Sequence, residues 1–192
     1  MKIVLASGNA GKLVEMREIL GRGFELVAQG DLGIADVEET GKTFVENAIL
    51  KARNAAQISG MPALGDDSGL CVDALGGAPG LYSARYAGGH GDANANIAKL
   101  LDALHDKSDR SAYFYCCVVL LRHADDPAPI IGEGRWFGRI LDVPRGDRGF
   151  GYDPVFFDPK LDAGAGELDP VVKNRVSHRG QALASLCAQL GR

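Results

Sequence analysis

Apolar residues fall along the chain in short blocks whose spacing switches between that of a strand and that of a helix. Residues 3–6 are a continuous apolar run closed by Ser7-Gly8-Asn9-Ala10-Gly11, and over residues 12–20 Leu13, Met16, Ile19 and Leu20 recur at helical spacing. That order predicts strand, glycine-rich turn and helix. Residues 25–28 predict a second strand. Thr43-Phe44-Val45-Glu46 has the Thr-x-x-Glu form of a capping box, ahead of a helix that should reach residue 59, before Gly60 and Pro62. On that helix Phe44, Ala48, Ala52 and Ala55 form a core stripe, and Asn47, Lys51 and Asn54 a neighbouring stripe left for polar work.

Residues 61–64 lead into Asp66-Asp67, residues 70–75 predict another strand, and Gly76-Gly77-Ala78-Pro79-Gly80 predicts a loop. Ile97, Leu100, Leu101 and Leu104 mark a helix over residues 94–105. Residues 112–122 and 130–140 read as two strands, antiparallel and forming a separate sheet or lobe. Residues 149–157 should be an aromatic and glycine loop entering a short strand, and residues 177–190 a final helix with Ser177 as its N-cap. Residues 162–166 look weakly ordered. Together these elements predict an α/β fold in a single domain over residues 1–192, with a central mixed sheet flanked by helices. Two lobes with an active cleft between them are expected, a natural place for a ligand.

With 46% apolar and 24% charged residues among 192, the chain has the composition of a globular protein. A formal charge of -4 gives no broad basic field, which argues against sequence-independent nucleic-acid binding and against a membrane surface. Any phosphate must therefore be met locally. The four cysteines, Cys71, Cys116, Cys117 and Cys187, contain no Cys-x-x-Cys pair and read as buried thiols of a reducing cytosol. The apolar start reaches Gly8 too soon for a signal peptide, and no apolar stretch approaches ~18 residues, so a cytoplasmic location is expected.

Four constellations carry candidate chemistry. In Ser7-Gly8-Asn9-Ala10-Gly11-Lys12, two glycines let backbone N–H groups approach an anion at a helix start, and Lys12 adds positive charge. It reads equally as an ordinary strand-to-helix turn, and it is not a Walker A loop, because only two residues separate its glycines and Leu13 follows the lysine. Asp66-Asp67-Ser68-Gly69, with Glu38 and Glu39 earlier in the chain, offers carboxylates of the kind that hold Mg²⁺ beside substrate phosphates and accept a proton from water. Standing alone, that run reads first as a surface Asp-Ser-Gly turn. Phe150-Gly151-Tyr152-Asp153-Pro154 after Gly149 combines aromatic faces for stacking a base with an acceptor, and reads equally as a hairpin loop with a core Phe. Lys173 and Ser177-His178-Arg179-Gly180 at a helix start supply cations and donors, or simply a solvated cap. His90, His105 and His123 read as surface or loop residues, since no two are spaced as metal ligands.

Taken in order, Ser-Gly-Asn-x-Gly-Lys from Ser7, Glu-Glu-Thr-Gly-x-Thr-Phe-x-Glu-Asn-Ala from Glu38, Asp-Asp-Ser-Gly-Leu from Asp66, Gly-Gly-Ala-Pro-Gly from Gly76, Phe-Gly-Tyr-Asp-Pro from Phe150 and Ser-His-Arg from Ser177 resemble the inosine triphosphate pyrophosphatase family, the XTP/dITP diphosphatases. The resemblance spans nearly the whole chain. It implies hydrolysis of non-standard purine nucleoside triphosphates (ITP, dITP, XTP) to the monophosphate and pyrophosphate by a Mg²⁺-dependent homodimer. It implies that Ser7, Gly8, Asn9, Ala10, Gly11 and Lys12 hold the triphosphate, that Glu39 and Asp67 are the metal-linked carboxylates, and that Asp67 is the proton acceptor. Ser68, Phe150, Gly151, Tyr152, Asp153, Lys173, His178 and Arg179 match substrate-contacting positions, chiefly for the base, and Lys51 a polar position near the phosphates. Gly65 stands where Ala is usual, and Val172 where an acidic residue often precedes the lysine. A pyrophosphatase for pyrimidine or modified nucleotides and a nucleotide-binding sensor are the competing readings. A nucleotide kinase is disfavoured by the missing Walker A Ser/Thr.

Overall fold

The computed structural model describes residues 1–89 and 91–191, so His90 lies outside the described residues. Strand β1 (Lys2–Ala6), helix α1 (Ala10–Leu20) and strand β2 (Glu25–Ala28) keep the predicted order, and α2 (Phe44–Ser59) follows the capping sequence. Next come β3 (Ala63–Val72), α3 (Ala93–Ala103), β4 (Ser111–Leu121), β5 (Ile130–Ile140), the short strands β6 (Phe156–Asp158) and β7 (Ala163–Gly164), and helices α4 (Pro170–Val176) and α5 (His178–Gln189). The strands form one sheet in the order β2-β1-β3-β4-β5-β6-β7. Its pairing is parallel where β1 meets β2 and β3, and antiparallel where β6 meets β5 and β7. The α/β class and the mixed sheet with flanking helices are as expected.

Two compact units divide the chain: Met1–Asp67, Cys116–Gly134 and His178–Arg192 form one, Ser68–Tyr115 and Arg135–Ser177 the other. In the first unit, side chains of β1 alternate between two packed faces, which is why its sequence is apolar throughout. Ile3 and Leu5 join Leu64, Cys116, Val118 and Leu120 against Met16 and Leu20 of α1 and Ala182, Leu183 and Leu186 of α5. Val4 and Ala6 join Ala63 against Ala55 and Ala56 of α2.

The start of α2 is fixed by its capping box. Thr43 accepts the Glu46 N–H at 3.3 Å, while Oε2 of Glu46 takes the Lys42 N–H and the Thr43 hydroxyl, each at 2.8 Å. Further along, α2 lies on bare backbone of β3. A Cβ on Gly65 would strike the Ala48 carbonyl and sit 2.7 Å from the Ala52 nitrogen.

The second unit has its own core. Leu70 and Val72 of β3, Ile97, Leu100 and Leu104 around α3, Phe114, Trp136, Ile140 and Phe156 pack together. The Phe156 ring lies 4.7 Å from Phe114 and 5.0 Å from Trp136, centroid to centroid, and the Trp136 indole N–H donates to Asp158 at 2.7 Å. Both exposed histidines among the described residues, His105 and His123, are where surface or loop positions were expected.

Three expectations need correction. Residues 70–75 are not a separate strand: β3 runs unbroken from Ala63 to Val72, and residues 73–75 make a 3-10 turn. β4 and β5 belong to the one sheet rather than a second one. The final helix expected over residues 177–190 is α5, while α4, which Pro170 behind the N-cap Asp169 starts and Ser177, extended at φ -66 and ψ 158, ends, was not expected. Residues 163–167 are ordered as β7 and a 3-10 turn in which Ala165 and Gly166 are buried.

Candidate active site

Asp66 and Asp67 lie inside β3, buried to 1% and 6% exposure, which rules out the surface-turn reading. Because strand side chains alternate, the two carboxylates leave the sheet on opposite faces. Asp66 follows the parity of Leu64, toward α1 and α5; Asp67 follows that of Gly65, toward α2.

On the α1 and α5 face, the Lys12 ammonium is 2.8 Å from Oδ2 of Asp66, and an Arg179 guanidinium nitrogen is 3.9 Å from the same oxygen. Arg179, 1% exposed, also pairs with Glu15 of α1. Burial alone would raise the Asp66 carboxyl, but Lys12, Lys51 and Arg179 outweigh it and hold it down to about 2. Its Oδ1 is buried and has no hydrogen-bond partner among the described residues. Arg179, which the sequence grouped with substrate contacts, meets Glu15 and Asp66 here.

On the α2 face, the polar stripe of α2 meets Asp67. Asn47 donates to Oδ2 at 3.1 Å, and Lys51 lies 3.4 Å from Oδ1 and 2.7 Å from Glu39 Oε1. Burial pushes the Asp67 carboxyl above its ordinary value and the Glu39 carboxylate adds to that, against the pull of Lys51 and Lys12. Lys51 is itself buried enough to disfavour its charge, yet Asp66, Asp67 and Glu39 raise its pKa. A carboxylate with raised basicity beside a second carboxylate and a cation suits proton abstraction from water. Glu39 and Asp67 share one ammonium, so their oxygens address one neighbourhood. Such hard oxygen donors fit Mg²⁺, which needs only one or two protein carboxylates when water and phosphates complete its shell. Among the described residues no group of three or more His, Cys, Asp or Glu side chains forms a protein-only metal site.

The loop from Ser7 to Gly11 joins β1 to α1. Asn9 is the N-cap, its Oδ1 accepting the Lys12 N–H at 3.0 Å, and the Ser7 hydroxyl accepts the Asn9 N–H at 3.3 Å. The first-turn N–H groups of a helix lack intrahelical partners, which makes this end an anion cradle with Lys12 in its first turn. A Cβ on Gly8 would sit 2.6 Å from the Asp36 carboxylate, which Gln29 holds, so a side chain there would have to displace it.

The second unit assembles a different set. Oδ2 of Asp153 accepts the Phe150 N–H at 2.8 Å and the Lys173 ammonium at 2.7 Å. Gly149, at φ +78, permits this, since any Cβ there would collide with the Asp153 carboxylate. Lys173 is buried and its Nζ stands 5.0 Å from the centroid of the Phe150 ring, which is 37% exposed. Tyr152 is core: its hydroxyl donates to the Ser83 carbonyl at 2.9 Å. Ser68 is half-buried in β3, and Ser177, His178 and Arg179 are all buried where α5 begins, which rules out the solvated-cap reading.

Glu15 was not singled out from the sequence, Gly41 stood only within the run from Glu38 to Ala48, and Asn47 within that run and the polar stripe, with no role given to either. The signal for Glu15 was its position three residues after Lys12, one helical turn along the same face.

Residues 3–189 match the sequence model of the Ham1 family. The chain is 61% identical over 187 residues to the dITP/XTP pyrophosphatase of Xanthomonas campestris pv. campestris (strain 8004), covering 96% of this chain and 94% of that one. It is 55% identical over 188 residues to the dITP/XTP pyrophosphatase of Vibrio cholerae serotype O1, with the same coverage. Among solved structures, the HAM1 protein from Coxiella burnetii superposes with a TM-score of 0.92 at 51% identity, covering 100% of this chain and 98% of that one. The Ham1 protein of Staphylococcus aureus gives 0.89 at 42% identity with the same coverage.

Proposed function

The chain belongs to the Ham1 family, and from that membership we propose that it hydrolyses dITP, XTP and ITP to the nucleoside monophosphate and pyrophosphate. The observation that carries the chemistry is Asp67: a buried carboxylate of raised basicity, fixed on both oxygens by Lys51 and Asn47.

In this reading Asp67 orients a water and takes its proton as the water attacks the alpha phosphorus, and pyrophosphate leaves. Lys12 and the first-turn N–H groups of α1 hold the triphosphate and balance the charge that develops on its oxygens. A well-placed donor of this kind is worth ~3 kcal/mol in a site that excludes water. Lys51, between Glu39 and Asp67, ties the two carboxylates together. Mg²⁺, which Glu39 and Asp67 would hold, supplies Lewis-acid polarisation of the phosphates when bound. Phe150 offers its exposed face for stacking the base, while Asp153 and Lys173 hold the loop that presents it. Ser68, Gly151, Tyr152, His178 and Arg179 complete the proposed substrate set. A cytoplasmic homodimer is part of the same proposal; no helix among the described residues is long and apolar enough to cross a membrane.

Product analysis over dITP, XTP, ITP, ATP and GTP, with and without Mg²⁺, tests this. Equimolar pyrophosphate and monophosphate are expected, with dITP and XTP turned over at least about tenfold faster than ATP and only when Mg²⁺ is present. Release of orthophosphate, or equal rates on all five, would overturn it.

A further inference from the structure

We propose that Asn47 is a positioning residue for the reaction, one carboxamide that sets the plane of the Asp67 carboxylate and ties the Glu39 loop to it. The inference rests on the assignment of Glu39 and Asp67 above.

Asn47 is 1% exposed on the first turn of α2. Its Oδ1 accepts the Gly41 N–H at 2.8 Å, and its Nδ2 donates to Oδ2 of Asp67 at 3.1 Å. The two contacts fix the amide's orientation between them. A backbone N–H can only donate, so the oxygen must face Gly41, and the NH₂ must then face the acceptor carboxylate. Gly41 has room for no side chain: a Cβ would sit 2.6 Å from Oδ1 of Asn47 and 2.7 Å from the Glu46 Cβ. Gly41 lies two residues beyond Glu39, so the bond from Asn47 anchors the segment that carries it.

The consequence is a carboxylate held at two points. Lys51 meets Oδ1 and Asn47 meets Oδ2, one helical turn apart on α2. Lys51 meets one oxygen, and the Asn47 bond to the other sets the carboxylate's plane about χ2. A group that orients a metal-linked or proton-accepting carboxylate in this way typically changes metal affinity or activity by about 10–100-fold when removed.

Three variants separate this role from packing. Asn47→Asp is nearly isosteric and keeps an acceptor for Gly41, but turns a second carboxylate on Asp67. Asn47→Leu removes both bonds, and Gly41→Ala displaces the amide oxygen while leaving Asn47 in place. The expected result is a kcat for dITP about 10–100-fold lower in Asn47→Asp and Asn47→Leu with KM within about threefold of the parent. Mn²⁺ binding to the substrate-free protein, read by its paramagnetic resonance spectrum, should weaken about tenfold in Asn47→Leu and Gly41→Ala. Parental kcat in Asn47→Asp, or parental Mn²⁺ affinity in Gly41→Ala, overturns the proposal. Those two variants carry the test if Asn47→Leu does not fold. Asp67→Asn assayed alongside distinguishes the two levels: parental turnover in that variant overturns the assignment of Asp67 itself, whereas its loss beside active Asn47 variants overturns only the role of Asn47.

Discussion

Asp66 and Asp67 are neighbours in β3 whose carboxylates leave the sheet on opposite faces, each to its own cations: Lys12 and Arg179 for the first, Lys51 for the second. Strand alternation thus splits one acidic dipeptide into two groups with opposite pKa behaviour. The same burial acts on both. Asp66, paired with Lys12 and Arg179 and also within the field of Lys51, is held ionised; Asp67, with Glu39 beside it, is made more basic. Only the second is suited to take a proton.

Replacing Asp67 by Asn should therefore lower kcat for dITP by about 10²–10⁴-fold, the usual contribution of a positioned base, with KM changed much less. Steady-state rates of pyrophosphate release check this, and an unchanged kcat would remove Asp67 from its role.

Asp66→Asn should act on stability. The folded carboxyl titrates at about 2 against an ordinary 3.8, so its ionised form is favoured in the folded state by about 2 kcal/mol. A depressed carboxyl contributes stability that is fully present above its unfolded value and lost as the pH falls through the folded one. The difference in unfolding free energy between parent and variant should be full near pH 7 and shrink between about pH 4 and about pH 2. Urea titrations across that range measure it; a pH-independent difference would contradict the charge account.

Much of the frame was legible in sequence because it rests on local signals. The apolar run at residues 3–6, the Thr43 capping box and the two long β runs each declare themselves within a dozen residues. The course of β3 was not legible: Gly65-Asp66-Asp67-Ser68-Gly69 has the composition of a turn, and only neighbouring strands and α2 keep it extended and buried. The contacts of Arg179 were equally hidden. Its partners Glu15 and Asp66 lie more than a hundred residues away in sequence, and nothing in Ser-His-Arg specifies which side of the sheet the helix will face. Asn47 shows the middle case, where helical periodicity found the polar stripe but not the carboxylate it meets.

Gly65 stands at the close approach of α2 to β3. Adding a methyl there forces it against the Ala48 carbonyl and to 2.7 Å and 3.1 Å from Ala52 nitrogen and Cβ, so the helix or the strand must shift. Gly65→Ala should cost about 1–3 kcal/mol. Because Asn47 and Lys51 ride on the same helix, the shift should also lower kcat, and a variant with parental melting temperature and kcat would show that α2 moves freely.

In the second unit, Asp153 binds the Phe150 N–H and the buried Lys173 through a single oxygen. Asp153→Asn leaves that ammonium facing a neutral amide in a buried setting, and breaking a buried pair from one side commonly costs about 3–5 kcal/mol. Removing the cation as well, in Asp153→Asn with Lys173→Met, takes away the charge that the amide cannot answer. The double variant should therefore be more stable than Asp153→Asn alone, a coupling that a double-mutant cycle on denaturant unfolding measures directly. Nucleotide binding should not recover with it. Phe150 is presented by the loop that Asp153 closes and lies under the Lys173 charge, so KM for dITP should stay at least about tenfold raised in the double variant, while kcat at saturation falls less. Recovery of both stability and KM in the double variant would mean that the pair serves only to hold the fold.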